Sequence, residues 1–346
     1  MTELITILPA DDVPVFPVEV DRLEWSTDDP GDSFDVTLTL GTETVLEATL
    51  TSGADRVATL YGIASLLIER MDTPGERSLD ICWGQQCYTH PLLVLACRTN
   101  VGVPAAGFTQ RRFLTLLDGN KPVPPGGTEK LRWYDPGTPD RTYGVRLRWY
   151  NLDSRAITEE SLTQLALGSG GISEADVSPS SFTPPTEGLL LLDYEVTAGL
   201  RKQHYVVVPS SMAAMEVAFK NAFGLADTFY FRGHTERVIK AERQQADFCG
   251  IRRNYSSKVH SEMTMHTGIL TDPLLPLLED LMATDIAYLR PHMTPLVITD
   301  NDAKLLSDLH AANAASVTFR QAAVNERAAL RDRIRTFDQT FDQTFE

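Results

Sequence analysis

The sequence predicts a mainly β chain built as two β-sandwich-like domains with short helices and extended connecting loops. Three observations predict it. Apolar residues alternate with polar ones over short runs, turn-forming residues interrupt those runs at close intervals, and helical spacing is confined to brief segments. At 346 residues the chain is longer than one compact core usually holds, so two folded units are expected.

The elements follow in chain order. Phe34, Val36, Leu38 and Leu40 fall on one face of a strand, Gly41-Thr42-Glu43 turns the chain, and Val45-Leu46-Glu47-Ala48-Thr49-Leu50 returns it as a hairpin. Leu60, Ile63, Leu66, Leu67 and Met71 recur at helical spacing until Pro74-Gly75 stops the pattern. Runs at 79–83 and 87–97 complete an N-terminal β-sandwich over residues 1–97. Residues 98–140 are rich in Gly, Pro and Arg, and Pro122-Val123-Pro124-Pro125-Gly126-Gly127 reads as part of an extended connection between domains. A second β-rich domain is expected over 141–332, with strands near 145–150, 189–196, 204–208, 228–231 and 259–265. A Ser/Gly/Pro-rich stretch over 168–185 is expected to be a long exposed loop. One helix near 272–283 is opened by Thr271-Asp272-Pro273 and carries Leu277, Leu278, Leu281 and Met282 on one side. The tail, 333–346, states a four-residue unit twice and begins it a third time, and its Phe337, Phe341 and Phe345 are expected to dock on the chain's own body or on a neighbour.

Charge and composition exclude several functions. With 31 Lys+Arg against 47 Asp+Glu the formal net charge is -16, a surface that repels phosphate backbones, so nucleic acid is not an expected partner. No apolar run approaches the roughly 20 residues that cross a bilayer, and no membrane insertion is expected. The N-terminus lacks a basic region followed by an apolar one, so the chain is expected to stay in the compartment where it is made, with its four cysteines reduced and used for packing.

Possible metal and catalytic sets are weak. In Cys82-x4-Cys87-x2-His90-x6-Cys97, the segment Trp83-Gly84-Gln85-Gln86 reads as a hairpin connection that sets Cys82 across from Cys87. Alternation then turns His90 away from Cys87 and Cys97, so packing is preferred to metal. His260, Glu262 and His266 share a strand face, but six residues of strand hold the two histidines about 20 Å apart, and a solvated face is the better reading. Nucleotide, metalloprotease and serine-hydrolase motifs are absent from the sequence, and acidic pairs such as Asp11-Asp12, Asp28-Asp29 and Glu159-Glu160 mark turns. No catalytic residue, cofactor or metal is therefore expected. The near-repeat Leu131-Arg132-Trp133-Tyr134-Asp135 and Leu147-Arg148-Trp149-Tyr150-Asn151 reads as two strands of one hairpin. Leu131, Trp133, Leu147 and Trp149 would face a core, leaving Arg132, Tyr134, Arg148 and Tyr150 outward as a protein interface, a sugar platform or an ordinary exposed face.

Several segments carry a resemblance. They are Phe113-Leu114-Thr115-Leu116-Leu117 with Lys121, Glu129-Lys130-Leu131-Arg132-Trp133-Tyr134, Asn221-Ala222-Phe223-Gly224-Leu225-Ala226-Asp227-Thr228-Phe229-Tyr230-Phe231 and the closing Phe repeat. In this order, and over most of the chain, they resemble structural proteins encoded in the tail gene clusters of tailed phages and prophages of Bacteroides-type bacteria. The resemblance implies a non-enzymatic virion component at the distal tail, tail tip or baseplate. It would be a homo-oligomer working with other phage tail or baseplate proteins, located in the virion tail after assembly in the host cytoplasm. The alternative is a glycan-binding module for the host surface, with Trp133, Tyr134, Trp149 and Tyr150 as stacking residues. A glycoside-cleaving enzyme is a third reading, for which the sequence offers no nameable carboxylate pair.

Overall fold

A computed structural model describes residues 2–9, 13–71, 74–89, 92–136, 141–169, 171–208, 214–248, 251–304 and 314–321. The chain is mainly β, with several sheets and few short helices in a sandwich-like, multi-domain arrangement. Two compact units divide it, and their boundaries differ from those expected. The first comprises Met1–Met212, Lys220–Thr228 and Pro273–Thr284, and the second Ala213–Phe219, Phe229–Asp272 and Asp285–Glu346.

The first unit begins with the expected sandwich. A three-stranded sheet orders Glu3–Leu4, Arg22–Ser26 and Val57–Tyr61. A second sheet orders Pro14–Val15, Leu92–Leu95, Glu76–Trp83, Ser33–Leu40 and Glu43–Thr51, with Gln86–Cys87 paired to the Glu76–Trp83 strand. Alternation does what period two dictates: Val36, Leu38 and Leu40 are buried and share one core with Leu23 and Trp25 of the other sheet. Trp25 and Phe34 meet edge to face at 5.9 Å. The helix is shorter than its sequence pattern, Ile63–Arg70, because Leu60 lies in the preceding strand and Gly62 turns the chain at φ +76°.

The cysteines depart from expectation. Cys82 and Cys87 face each other across the Trp83–Gln86 turn, as the hairpin reading implied, but they are joined in a disulfide rather than held as reduced packing groups. Ile81 accepts the Tyr88 amide at 2.8 Å, which makes Cys82 and Cys87 the neighbouring non-hydrogen-bonded pair, where side chains approach most closely. Cys97 is a buried free thiol; burial pushes its pKa up to about 12, against the lowering effect of a backbone hydrogen bond at Thr99. Cys87→Ser is expected to lower the unfolding free energy by about 2 kcal/mol without reductant, the loop-closure value for so short a ring. Urea unfolding with and without dithiothreitol checks this, since the difference between variant and parent should vanish once the bridge is reduced.

Residues 98–136, the described part of the 98–140 stretch, are not a free connection. They form the helix Ala105–Arg111 and the strands Lys121–Val123 and Lys130–Tyr134. Phe108, Leu114 and Tyr134 share a core with Phe16, Leu95, Cys97, Phe223 and Leu225, so the segment is sealed onto the sandwich. Pro122 is tolerated because Lys121–Val123 is an edge strand, pairing in parallel with Arg201–Val207 on one side only. The stretch 168–185 is likewise ordered: Leu167–Ser169 and Ile172–Asp176 pair with each other, and Ser173, Ala175, Val177 and Phe182 are buried.

The Trp-Tyr near-repeat does not make one hairpin. Lys130–Tyr134 pairs with Ile172–Asp176 in a three-stranded sheet. Thr142–Asn151 lies between Ile157–Leu165 and Leu189–Ala198 in a five-stranded sheet. Alternation holds in Thr142–Asn151 but breaks at the end of Lys130–Tyr134, where Trp133 and Tyr134 are both buried, and the partner of each strand is set by other segments.

The second unit carries most of a seven-stranded sheet ordered Ala226–Phe231, Met215–Lys220, Ala287–Leu289, Thr294–Lys304, Ala314–Gln321, Ile251–His266 and Thr235–Phe248. Phe231 and Phe319 meet edge to face at 5.6 Å beneath it. The last two strands are its most unusual part. They pair with each other along their length, whereas Ala314–Gln321 meets only Glu262–His266. Residues 251–261 thus have one ladder partner among the described residues, giving a two-stranded ribbon roughly 35 Å long. The expected helix follows as Leu275–Ala283, preceded by a single 3-10 turn at Asp272–Leu274, and belongs to the first unit, where Leu277, Leu278 and Leu281 are buried. Phe337, Phe341 and Phe345 lie outside the described residues.

Candidate functional site

The most strongly polar interior of the first unit surrounds Lys121. Its Nζ lies 2.7 Å from Glu129 Oε1 and 3.5 Å from Asp227 Oδ1, and the Lys121 and Glu129 side chains are only 2% and 3% exposed. Burial draws the ammonium pKa down, but the two carboxylates outweigh it and hold the pKa above its ordinary value. Thr115 Oγ1 donates to Asp227 at 2.6 Å, and Asn221 Nδ2 donates to the Leu114 carbonyl at 2.9 Å. A lysine between two carboxylates resembles acid–base machinery, yet the adjoining cavity is about 10 Å³, room for a single water. The cluster ties three separate chain segments together around a space the size of one water.

The residues expected to make an outward face are dispersed. Tyr134 is buried and donates its hydroxyl to Glu76. Arg132 is half-buried; its Nε donates to Glu174 at 2.6 Å, and its guanidinium also donates to the Ala226 carbonyl. Arg148 is exposed on the five-stranded sheet and donates to Asp193 at 2.9 Å, with Tyr150 half-buried two residues on. The stacking rings are mostly inside: Trp133 and Trp149 are 1% and 3% exposed. Trp133 packs against Phe113 and Tyr143, and Trp149 Nε1 donates to Glu160. These rings present no sugar platform. The physical reason is that Trp133 and Trp149 lie on the core face of their strands, and Lys130–Tyr134 buries Tyr134 on its second face as well, whereas Thr142–Asn151 keeps Arg146 and Arg148 exposed on its other face.

Sequence reasoning along one strand missed a cluster that forms across two. In the second unit His234 and His266 lie opposite each other where the ribbon joins the sheet; the His266 amide donates to the His234 carbonyl at 3.1 Å. Their imidazole rings stack 3.8 Å apart with planes 18° from parallel. Glu236, two residues along the same strand face, accepts from or shares a proton with His234 Nε2 at 3.2 Å. One donor atom from each of the three residues lies within 4.8 Å of the other two. A bare backbone makes this possible: a Cβ on Gly233 would come within 2.7 Å of the His266 Cβ and 2.8 Å of its carbonyl oxygen. His260, by contrast, sits further along the ribbon beside Glu262, which also pairs with Lys240. The spacing argument against His260 and His266 sharing an ion stands; the partner of His266 comes from another strand. A sequence signal was available in His234-x-Glu236, a period-two pair beginning just after a glycine.

No protein-family model and no curated protein matches the sequence. Solved structures similar in part include the following two. The calcium-binding domain CBD12 of CALX1.1 is 10% identical over 54% of this chain and 75% of its own, with a TM-score of 0.19. A tetra-tandem repeat in the extending region of a large adhesion protein is 15% identical over 90% of this chain and 66% of its own, also at a TM-score of 0.19. At those scores neither likeness extends to function.

Proposed function

We propose that the chain is a non-enzymatic structural component of a phage tail, at the distal tail, tail tip or baseplate, acting by assembly with further copies of itself and with other tail proteins. Its place would be the virion, after assembly in the host cytoplasm. The observation that supports this most is the Thr235–Phe248/Ile251–His266 ribbon. A two-stranded ribbon is marginal by itself in water, and its outer strand has no second ladder partner among the described residues. Val238 and Ile239 are exposed on that edge strand. By sequence, the ribbon's charge is opposite to that of the whole chain: Arg237, Lys240, Arg243, Arg252, Arg253 and Lys258 outnumber Glu236, Glu242, Asp247 and Glu262, in a protein of net charge -16. A second copy of the same acidic chain is therefore a complementary occupant. Disulfide formation at Cys82–Cys87 suits a particle that leaves the reducing cytoplasm. Arg148, Tyr150 and the Phe337, Phe341 and Phe345 tail are secondary contacts in this reading.

Light scattering across concentration tests it. The full chain should form a defined oligomer, and Ile239→Glu, at a position 70% exposed, should weaken association at least about tenfold with an unchanged circular dichroism spectrum. Deleting 336–346 should weaken it further. A parent protein that stays monomeric at every concentration, alone and with tail partners, counts against the proposal.

A further inference from the structure

We propose that His234, Glu236 and His266 form a binding site for one divalent transition-metal ion of the zinc class, stapling the two strands where the ribbon leaves the sheet. The inference stands apart from the assembly reading, since an ion could bind whether or not the ribbon meets a second copy.

The geometry carries it. Two imidazoles and a carboxylate project from one face of adjacent strands, and their donor atoms already fall within 4.8 Å of one another. An ion held at about 2.0–2.2 Å from each donor needs only rotamer-scale closure of side chains, two of which are exposed. The backbone beneath them is fixed. Gly233 donates to the His266 carbonyl at 2.8 Å, and His266 continues in register into Ala314–Gln321, opposite Ser316. Met265, the next residue, is fully buried and turns the neighbouring face into the core, which holds His266 on the outer face. Gly233 and Gly268 approach so closely that larger residues would push the strands apart.

Donor chemistry selects the ion. Imidazole nitrogen suits Zn²⁺, Ni²⁺, Cu²⁺ and Fe²⁺, whereas Ca²⁺ and Mg²⁺ take oxygen donors almost exclusively. Three protein ligands leave at least one position to water. Because the ligands come from both strands, bound metal would oppose fraying of the ribbon from its attached end.

The test uses tag-free, full-length protein stripped with EDTA. Calorimetric titration with ZnCl₂ should show one saturable site per chain, and CoCl₂ should give visible d–d absorption. Zinc should also raise the apparent melting temperature by mass action. His234→Ala, His266→Ala and Glu236→Gln should each weaken zinc binding at least about tenfold, the scale of a lost ligand contact or more. His260→Ala and CaCl₂ serve as controls that should change nothing and bind nothing, respectively. Absence of saturable zinc binding, or binding that the double variant His234→Ala/His266→Ala leaves unmoved, overturns the proposal. Glu236→Gln, at an exposed position, keeps the test interpretable if a histidine variant unfolds.

Discussion

Replacing Lys121 with methionine is expected to lower the unfolding free energy by about 3–5 kcal/mol, because it leaves the Glu129 carboxylate buried without its ammonium partner. The methionine fills nearly the same volume, so the loss would come from charge and not from a cavity. Two further outcomes separate this cause from others. Lys121→Met with Glu129→Gln removes the Lys121 and Glu129 charges and should recover part of the stability, with Asp227 left without its ammonium. Glu129→Gln alone should cost less than Lys121→Met, since Asp227 still faces the ammonium at 3.5 Å. All four tryptophans lie within Met1–Met212, so fluorescence-detected urea unfolding reports on the unit that contains the pair. A loss below about 1 kcal/mol, the range of an exposed ion pair, would refute the assignment of Lys121 as a buried structural cation.

Asp280→Asn should make the protein more stable than the parent above neutral pH, with the advantage shrinking toward acid and gone below about pH 4. Burial pushes the Asp280 carboxyl up from 3.8 to about 7; the Ala222 amide, which donates to it at 3.2 Å, works against the rise, and the nearby Asp227 charge adds to it. In the folded chain this group therefore holds its proton more tightly than in the unfolded one. Its contribution is fully present below about pH 4 and is lost as pH rises through about 7. Three pKa units correspond to about 4 kcal/mol at most, so a gain of about 3 kcal/mol for the variant between pH 5 and pH 8.5 is a reasonable expectation. Asparagine keeps an oxygen for the Ala222 amide while removing the titration. A stability difference between variant and parent that is flat across that range would show that the carboxyl does not titrate as its burial implies.

How much was legible in the sequence depended on distance along the chain. The Ser33–Leu40 and Glu43–Thr51 hairpin follows from alternation and a glycine turn, both local, and the helix at Leu275–Ala283 follows from one apolar stripe, although its N-cap position is Leu274, with no capping side chain. Strand partners were not local. The Leu131 and Leu147 repeats look like a hairpin because only a short turn separates them, yet Lys130–Tyr134 gains more by covering the core with Ile172–Asp176. Composition misled in the same way at 98–140, where prolines at an edge and glycines in turns coexist with the buried Phe108, Phe113 and Trp133. Lys121 looks like any surface lysine until Glu129 and Asp227, 8 and 106 residues away, close around it. His266 could be placed on a face, but only the register with His234 shows what stands beside it.

The interleaving of the two units has a consequence for synthesis on the ribosome. The first unit is incomplete after Met212, lacking the Lys220–Thr228 segment that supplies Asp227 and Phe223, and the helix that supplies Asp280. Residues 229–272 of the other unit must emerge before that helix does. At translation rates of about 5–20 residues per second, the 72 residues from 213 to 284 take roughly 4–14 s, long compared with the folding of most small domains. During that interval the nascent chain holds an open hydrophobic seam around Leu114 and a lysine awaiting its second carboxylate. The long ribbon strands emerge at the same time, so nascent chains on one polysome are exposed to mispairing with each other before the seam closes.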